Sequence, residues 1–499
     1  MGGLFHSSLL CAYLMHFVVK LFPEIIIKSP PVRKRFIKQL RQNVRRLIVA
    51  TYPDVTVLSQ WDKIEVVAEG ISAERDAFVA GVLANTPGIA NFSHVSNHPL
   101  GDFDEIAELL WPLYGESLAN KTFCLRVKRT GKHAFRSTDV EREVGGRLFQ
   151  RSEAKKVQLK NPDVKISLDI RGETLSILES TTQGLGGFPL GTQDAVMSLV
   201  SGGFDSTVAS YLTMKRGLRT HFCFFNLGGR AHELGVKEVA HYLWRKYGAS
   251  HRVKFITVPF EGVVAEILAN VDNSQMGVVL KRMMLRAATE IAEHWKVDAL
   301  VTGEAVAQVS SQTLANLAVI DSVTDMLTLR PLVVMDKNAI INIAREIGTE
   351  EFAANMPEYC GVISVKPTTR AKPDRIVHEE SKFDSAVLEK AIADRREENI
   401  DELMDTWQDL PDVEVFSAPQ PGMVILDIRH PDEAERKPLN GGAAEIKLSP
   451  FYALQNSFKG LDQNRQYLLY CEKGVMSRLH AELLIEQGHN NLAVYRPVS

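Results

Sequence analysis

Apolar residues recur along the first part of the chain with the two periods that separate helices from strands. A short strand from Phe17 gives way to a proline turn at Pro23, and Ser29, Pro30 and Pro31 open an amphipathic helix. Val32, Phe36, Leu40, Val44 and Leu47 supply its buried stripe, with arginines and lysines facing away. Alternating stretches at Val55 to Val57 and Lys63 to Val67, then a helix near Ala73 to Ala84, complete a small α+β unit. A second unit, from about Asn91 to Ser180, has a helix around Asp104 to Tyr114 and a strand Thr122 to Lys128 in which Phe123, Leu125 and Val127 alternate with basic residues.

Beyond a glycine-rich hinge, Gly184 to Gly191, the period switches repeatedly. Strands and helices alternate as Val196 to Val200, Thr207 to Lys215, Thr220 to Phe225, Val236 to Tyr247, Arg252 to Val258, Val278 to Trp295 and Ala299 to Thr302. That alternation predicts a doubly wound parallel sheet. The charged stretch from Lys372 to about Asp412 predicts a helical linker, and a smaller α/β unit begins at Met423.

With 499 residues, 45% of them hydrophobic and 24% charged, the chain can build several cores. Its net charge of -3 hides a basic run, Lys28, Arg33, Lys34, Arg35, Lys38, Arg41, Arg45 and Arg46, with no acid among them. Lys121, Arg126, Lys128, Arg129, Lys132, His133 and Arg136 form a second basic cluster. Two such clusters ahead of a doubly wound domain favour a nucleic-acid partner, because dispersed Lys and Arg neutralise phosphates. The 5 cysteines include no CxxC pair, which argues against a disulfide scaffold or a metal site built from closely spaced thiolates, and no metal ligands are predicted. The apolar N-terminus from Leu9 to Phe22 lacks the basic lead-in and small-residue cleavage site of a secretory signal. A cytoplasmic protein without membrane spans is expected.

The sharpest signal is Ser201-Gly202-Gly203-Phe204-Asp205-Ser206-Thr207, set between an apolar strand and a helix. Glycines let backbone amides close on phosphate oxygens, and the following helix offers its positive end to the anion. The lysine of the GxxxxGK[ST] loop is missing. SGGFDS in this position resembles the PP-loop ATP pyrophosphatases. The resemblance implies cleavage of ATP between the α and β phosphates, with Mg²⁺ offsetting their charge and Asp205 as the essential acid. It implies an ATP site of Leu199, Val200, Ser201, Gly202, Gly203, Asp205, Ser206, Thr207, Phe225, Asn226, Lys281, Arg282, Gly303, Gln312 and Lys337, with Glu304 beside Gly303 at a strand end.

Toward the C-terminus, Asp427-Ile428-Arg429-His430-Pro431-Asp432-Glu433 and then Cys471-Glu472-Lys473-Gly474-Val475-Met476-Ser477-Arg478 resemble a rhodanese domain. In that fold a cysteine opens a cradle of backbone amides at a helix N-terminus, which stabilises a thiolate or a persulfide anion. Cys471 is the expected sulfur carrier, with Glu472, Lys473, Gly474, Ser477 and Arg478 forming its loop. Cys360, in the loop Pro357 to Val362, is the candidate second thiol, since releasing sulfur from a persulfide requires a group that breaks its bond to the carrier. Cys124 and Cys223 lie in strands, and Cys11 in an N-terminal extension.

Taken in order, KLFPEIIIKS, FCLRVKRTGKHAF, GLGGFPLGTQ, SGGFDS, TGEAVAQVSSQTLANL, RPL with Lys337, PEYCGVIS and CEKGVMSR resemble the tRNA 4-thiouridine synthetases, or thiamin-biosynthesis sulfurtransferases, over nearly the whole chain. The resemblance implies multidomain α+β and α/β architecture: an N-terminal ferredoxin-like domain over residues 15–76, a THUMP RNA-binding domain over 77–181, a doubly wound PP-loop adenylation domain over 182–395, a linker over 396–419 and a rhodanese domain over 420–499. Residues 1–14 stand outside the family pattern and are expected to be a non-native extension ahead of a start at Met15, and Ala307 replaces an expected glycine. Arg33, Lys34, Arg41, Arg126, Lys128, Arg129, Lys132 and Arg136 are the expected tRNA contacts. The implied partners are tRNA, a cysteine desulfurase, a ThiS-like sulfur carrier for thiazole synthesis and a disulfide reductant, and the family pattern allows a homodimer. In the implied reaction uridine 8 is adenylated, the Cys471 persulfide attacks it, and Cys360 frees the product by forming a disulfide with Cys471; alternatively Cys360 first liberates sulfide. Two rivals are a PP-loop synthetase that amidates a small acid and a persulfide relay that serves only a carrier protein.

Overall fold

The computed structural model describes residues 14–59, 63–70, 72–227, 229–354, 356, 366–403, 413–429, 431–442, 444–472 and 475–497. They form two compact units, one reaching to Thr192 together with Lys215–Gly217, the other comprising Gln193–Met214 and the chain from Leu218 onward.

In the first unit the strands are β1 (Leu14–Leu21), β2 (Thr56–Ser59), β3 (Lys63–Glu69), β4 (Ile89–Pro99), β5 (Thr122–Thr130), β6 (Lys156–Val157), β7 (Val164–Arg171) and β8 (Thr174–Gln183). They make one eight-stranded sheet in the order β2-β3-β1-β4-β8-β7-β5-β6. Its helices are α1 (Pro23–Ile26), α2 (Pro30–Val49), α3 (Ala73–Ala84), α4 (Phe103–Tyr114) and α5 (Ser137–Arg151). Prolines at the first turn start α2, where a missing N–H costs nothing. Its buried face is Phe36, Ile37, Leu40, Asn43, Val44 and Ile48. Leu47 is only half-buried, so the stripe drifts by one residue at its end, and Asn43 is tolerated inside because its Nδ2 donates to the Leu190 carbonyl at 2.9 Å. Asp102 caps α4 in a capping box with Glu105. Two cores lie along the sheet, and the β4–β8 ladder, Asn91 opposite Gln183 through Pro99 opposite Thr174, joins them. The expected boundary at residues 76/77 falls inside α3.

The second unit carries two sheets. One consists of β9 (Ala195–Leu199), β10 (Arg219–Asn226), β11 (Lys254–Pro259), β12 (Ala299–Val301), β13 (Leu327–Leu329) and β14 (Arg396–Asn399), in the order β13-β12-β9-β10-β11-β14. All pairs are parallel except β11 with β14. Around it lie α6 (Phe204–Lys215), α7 (Gly229–Leu243), α8 (Glu261–Asn270), α9 (Met276–His294), α10 (Leu314–Asp321), α11 (Lys337–Ile347), α12 (Glu350–Ala354), α13 (Pro373–Glu380) and α14 (Ser385–Ala393). Because β10 and β12 flank β9 on opposite sides, the carboxyl end of β9 is the topological switch point, where open α/β sheets bind ligands.

Of the charged stretch expected to be a linker, the described residues 372–403 are built into this domain. Ile376, Leu388, Ala391 and Ile392 of α13 and α14 belong to its main core, and Arg396–Asn399 is its edge strand. The remaining sheet, β15 (Val415–Phe416), β16 (Val424–Asp427), β17 (Glu445–Leu448), β18 (Tyr467–Tyr470) and β19 (Leu492–Tyr495), is parallel in the order β15-β19-β18-β16-β17. It carries α15 (Pro431–Arg436), α16 (Phe451–Phe458) and α17 (Val475–Glu486). Leu426 and Ile425 enter cores on opposite faces, the period of two of a doubly covered strand. Among the described residues no helix is long and apolar enough to cross a membrane.

Candidate active site

The turn after β9 is closed by its own side chains. Ser201 N–H donates to Ser206 Oγ at 3.2 Å, and the Thr207 hydroxyl donates to the Gly203 carbonyl at 2.8 Å. Gly202 has φ +81, a left-handed conformation that costs glycine nothing, and a Cβ there would lie 2.4 Å from the Met356 methyl group. Gly303, just past β12, touches the loop from the other side, where a Cβ would stand 2.5 Å from both Asp205 C and Ser206 N. Glycine at 303 therefore lets the end of β12 meet the first turn of α6. His232 of α7 binds the Ser201 carbonyl through Nε2 at 3.1 Å; burial holds its imidazole below the usual range, so the neutral ring donates here.

Asp205, on the first turn of α6, is held by two distant residues. Lys337 Nζ lies 2.9 and 3.0 Å from its two oxygens, and Gln308 Nε2 donates to Oδ2 at 2.8 Å. Gln308 was not among the residues expected from the sequence. It is delivered by a turn in which Ala307 has φ +65 and its N–H donates to the Gln312 carbonyl at 3.1 Å. That backbone explains why glycine is the expected residue at 307. Ala307→Gly is expected to raise stability by about 0.5–1 kcal/mol, the left-handed penalty less the added entropy of the unfolded chain. A urea midpoint that fails to rise at constant slope would contradict this.

The expected cations divide. Lys281 Nζ pairs with Glu304 Oε1 at 2.7 Å, and Arg330 Nε with Glu304 Oε2 at 2.9 Å. Burial opposes ionisation of Glu304, but these two cations outweigh it and hold the carboxyl below its usual range. Arg282, one residue on and about 100° around the helix, points elsewhere. It is buried, with its guanidinium on Glu380 at 2.5 and 3.0 Å and on the Val319 carbonyl. It is thus a structural clamp between α9, α10 and α13 rather than a residue of the phosphate loop. Val200, Phe225, Asn226 and Gln312 are buried and Leu199 half-buried near the same strand ends, with Asn226 Nδ2 on Glu233 at 3.3 Å.

Cys471 closes β18. Its Sγ accepts the Ser477 N–H at 3.3 Å and lies 3.4 Å from Ser477 Oγ, at the start of α17. Asp427 and Arg429, a buried pair at 2.5 and 2.8 Å, brace the neighbouring strand end, and Arg429 stacks 5.0 Å from the Tyr470 ring. Glu472 pairs with Lys437 at 2.9 Å and is exposed, whereas Arg478 is half-buried. Lys473, Gly474 and Cys360 lie outside the described residues. Burial pushes the Cys223 thiol up to about 12, which removes it from thiolate chemistry.

The basic residues of the first unit differ in freedom. Lys34, Lys128, Lys132 and Arg136 are exposed, and Arg33 and Arg41 half-buried. Arg126 donates to the Leu159 carbonyl at 2.8 Å, and Arg129 bonds Gly131 and His133 at 3.0 Å, so both are partly committed to the fold.

Family models match four segments: a ThiI ferredoxin-like domain at residues 16–93, a THUMP domain at 101–178, Thiamine biosynthesis protein (ThiI) at 191–385 and a rhodanese-like domain at 414–496. A tRNA sulfurtransferase of Saccharophagus degradans is 54% identical over 97% of this chain and 100% of its own length. One of Azotobacter vinelandii is 55% identical over the same shares. Among solved structures, that of a 4-thiouridine synthetase–RNA complex with bound ATP aligns with TM-score 0.68 and 27% identity, over 77% of this chain and 99% of that one. The architecture and these relatives together place the chain in the tRNA sulfurtransferase family, to which it belongs.

Proposed function

We propose that the chain converts uridine 8 of tRNA to 4-thiouridine, using ATP to activate the base and a Cys471 persulfide to bring the sulfur. One observation carries this reading: an ATP-pyrophosphatase-type loop with Asp205 held by Lys337, and a thiol cradle at Cys471, occur within the same compact unit. The related synthetase crystallised with RNA and ATP supports both substrates. Shape and phosphate contacts by the first unit, through Lys34, Lys128, Lys132 and Arg136 above all, would present the base.

In this scheme the uridine O4 attacks the α phosphate and pyrophosphate leaves toward Lys337. The Cys471 persulfide anion attacks C4 and expels AMP, leaving the base joined to Cys471 through two sulfurs. The Cys360 thiolate then attacks Cys471 Sγ, the bond to the base-bound sulfur breaks, and 4-thiouridine departs. The Cys360–Cys471 disulfide is reset by a cellular dithiol, and a cysteine desulfurase reloads Cys471. Among the described residues no group of three or more His, Cys, Asp or Glu could hold a metal. An Mg²⁺ ion carried on ATP phosphates needs only one or two protein carboxylates, and Asp205 fits that part.

Purified enzyme given ATP, Mg²⁺, tRNA, cysteine, a desulfurase and a dithiol reductant is expected to release AMP and form 4-thiouridine in equal amounts. Release of neither would overturn the reading. A second role, passing sulfur to the C-terminus of a ThiS-like carrier, is favoured by the self-contained cradle: Ser477 stabilises Cys471 without any group from the ATP site.

A further inference from the structure

Helix α7 is used on more than one face. Arg230, Leu234, Glu238 and Arg245 recur at intervals that put them on one stripe continuing past the helix end. The elements against that stripe come from the rhodanese domain. Arg230 pairs with Glu482 at 2.8 Å, and Arg245 with Glu433. Leu234 packs with Leu479, Leu483 and Met476 in a separate apolar cluster. Between these contacts, His480 Nε2 meets Glu238 Oε1 at 2.7 Å, with side chains 6% and 5% exposed.

Such a pair is informative because neither group is stable under cover alone. A buried carboxylate or imidazole without a partner carries a large desolvation cost, and burial already pushes the Glu238 carboxyl up despite His480. The two surfaces therefore match each other. Separated, both groups regain water, which makes a polar contact of this kind reversible in a way that a purely apolar one is not.

The opposite side of α7 faces the ATP site. His232 binds the Ser201 carbonyl at 3.1 Å, and Gly235 adjoins the Met356 side chain that also lies on Gly202. Phe352 of α12 packs at a tilt against Tyr242 of α7 and edge-on against Phe451 of α16, each at 5.2 Å between ring centres. Met356, just beyond α12, is the residue that lies on Gly202. The rhodanese helices α16 and α17 thus rest on α12 and α7, the elements from which Met356 and His232 reach the phosphate loop. One of them, α17, begins in the cradle of Cys471.

We propose that the face formed by α7 and α12 is the delivery dock for the rhodanese domain, with Glu238 and His480 as positioning residues that hold the Cys471 loop within reach of the activated base. The proposal rests on Cys471 being the sulfur carrier. Docking does not touch the reacting atoms; it raises the effective concentration of the persulfide at the adenylate.

The test uses the full-length enzyme with Glu238→Lys, Arg230→Glu and the swap Arg230→Glu with Glu482→Arg. Three quantities are measured: ³⁵S loading of Cys471 by a desulfurase, thiolation of tRNA from that label, and thiolation when sodium sulfide replaces it. Both single variants are expected to load Cys471 normally and to use sulfide at the wild-type rate, which also shows that they fold. Their thiolation from loaded Cys471 should fall in kcat with an unchanged KM for ATP. The loss should be at least about ten-fold for Glu238→Lys, which places an unmatched charge under cover beside His480, and about two- to five-fold for Arg230→Glu, whose pair is partly exposed, with the swap restoring most of the latter. Wild-type transfer in both single variants overturns the dock. Equal loss with sulfide also overturns it, because α7 would then act on the ATP site alone. If wild-type enzyme moves no label from Cys471 to tRNA, the carrier reading itself has failed, an outcome separate from the other two.

Discussion

Asp205→Asn is expected to reduce ATP-dependent thiolation of tRNA by about 10²-fold or more while leaving the fold intact. The side chain keeps its shape and one acceptor for Gln308, so what is lost is the charge at the mouth of the phosphate loop. Removing one preorganised electrostatic group from such a site costs about 10²–10³ in rate. The stability change should be small, because Lys337 is 43% exposed and Asp205 24%, and pairs this accessible contribute at most about 1 kcal/mol. AMP release, 4-thiouridine content and the urea midpoint are to be measured on one preparation. A variant that retains more than about a tenth of wild-type AMP release would remove Asp205 from the chemistry. The same variant separates the two sulfur outputs: thiamin-independent growth that survives while tRNA thiolation is lost would show that the carrier relay needs no ATP site.

The parts of this site that can be seen in the sequence are those encoded by adjacent residues. A glycine at φ +81, hydroxyls that close on Gly203 and a helix beginning at Phe204 are consequences of SGGFDST itself. The Cys471 cradle is equally local, since its amide donor is six residues on. Gln308 and Met356 were not visible because they reach the loop through the fold, from over a hundred residues away, and are ordinary residue types. Arg282 misled for a different reason: adjacent helical residues face different neighbours, and only packing shows that Lys281 turns to Glu304 while Arg282 is sealed against Glu380.

The supposed linker shows how charge can conceal structure. Arg-Glu-Glu-Asn has no apolar residue, so it carries no strand period, yet as β14 it pairs along β11 through its backbone. Its charges are matched by α7: Arg396 meets Glu233 at 2.6 Å and Glu398 meets Lys237 at 2.6 Å. Lys237 is almost wholly buried, so those acids are what make its burial tolerable. The helix that bears the phosphate loop on one side and the rhodanese domain on another is thereby fixed to the sheet along a third.

Cys471→Ser is expected to abolish thiolation fed by a desulfurase, with residual activity below about a hundredth, because a serine oxygen holds no sulfane sulfur. ATP-dependent thiolation with added sulfide should persist, since the SGGFDST loop proposed to bind ATP lies in the other domain of the unit. Cys360→Ser gives the sharper result. If Cys360 attacks after transfer, its loss stops the reaction at the adduct in which C4 of the base is joined through two sulfurs to Cys471. One equivalent of AMP then appears, no free 4-thiouridine accumulates, and tRNA migrates with the protein on a non-reducing gel until a thiol reductant is added. If Cys360 instead frees sulfide before transfer, the variant forms neither adduct nor early AMP, and the Cys471 persulfide remains loaded. A Cys360→Ser enzyme that, given the same dithiol as the wild type, turns over at the wild-type rate with no adduct detectable would leave Cys360 outside the mechanism, the dithiol itself supplying the two electrons that free the base-bound sulfur from Cys471.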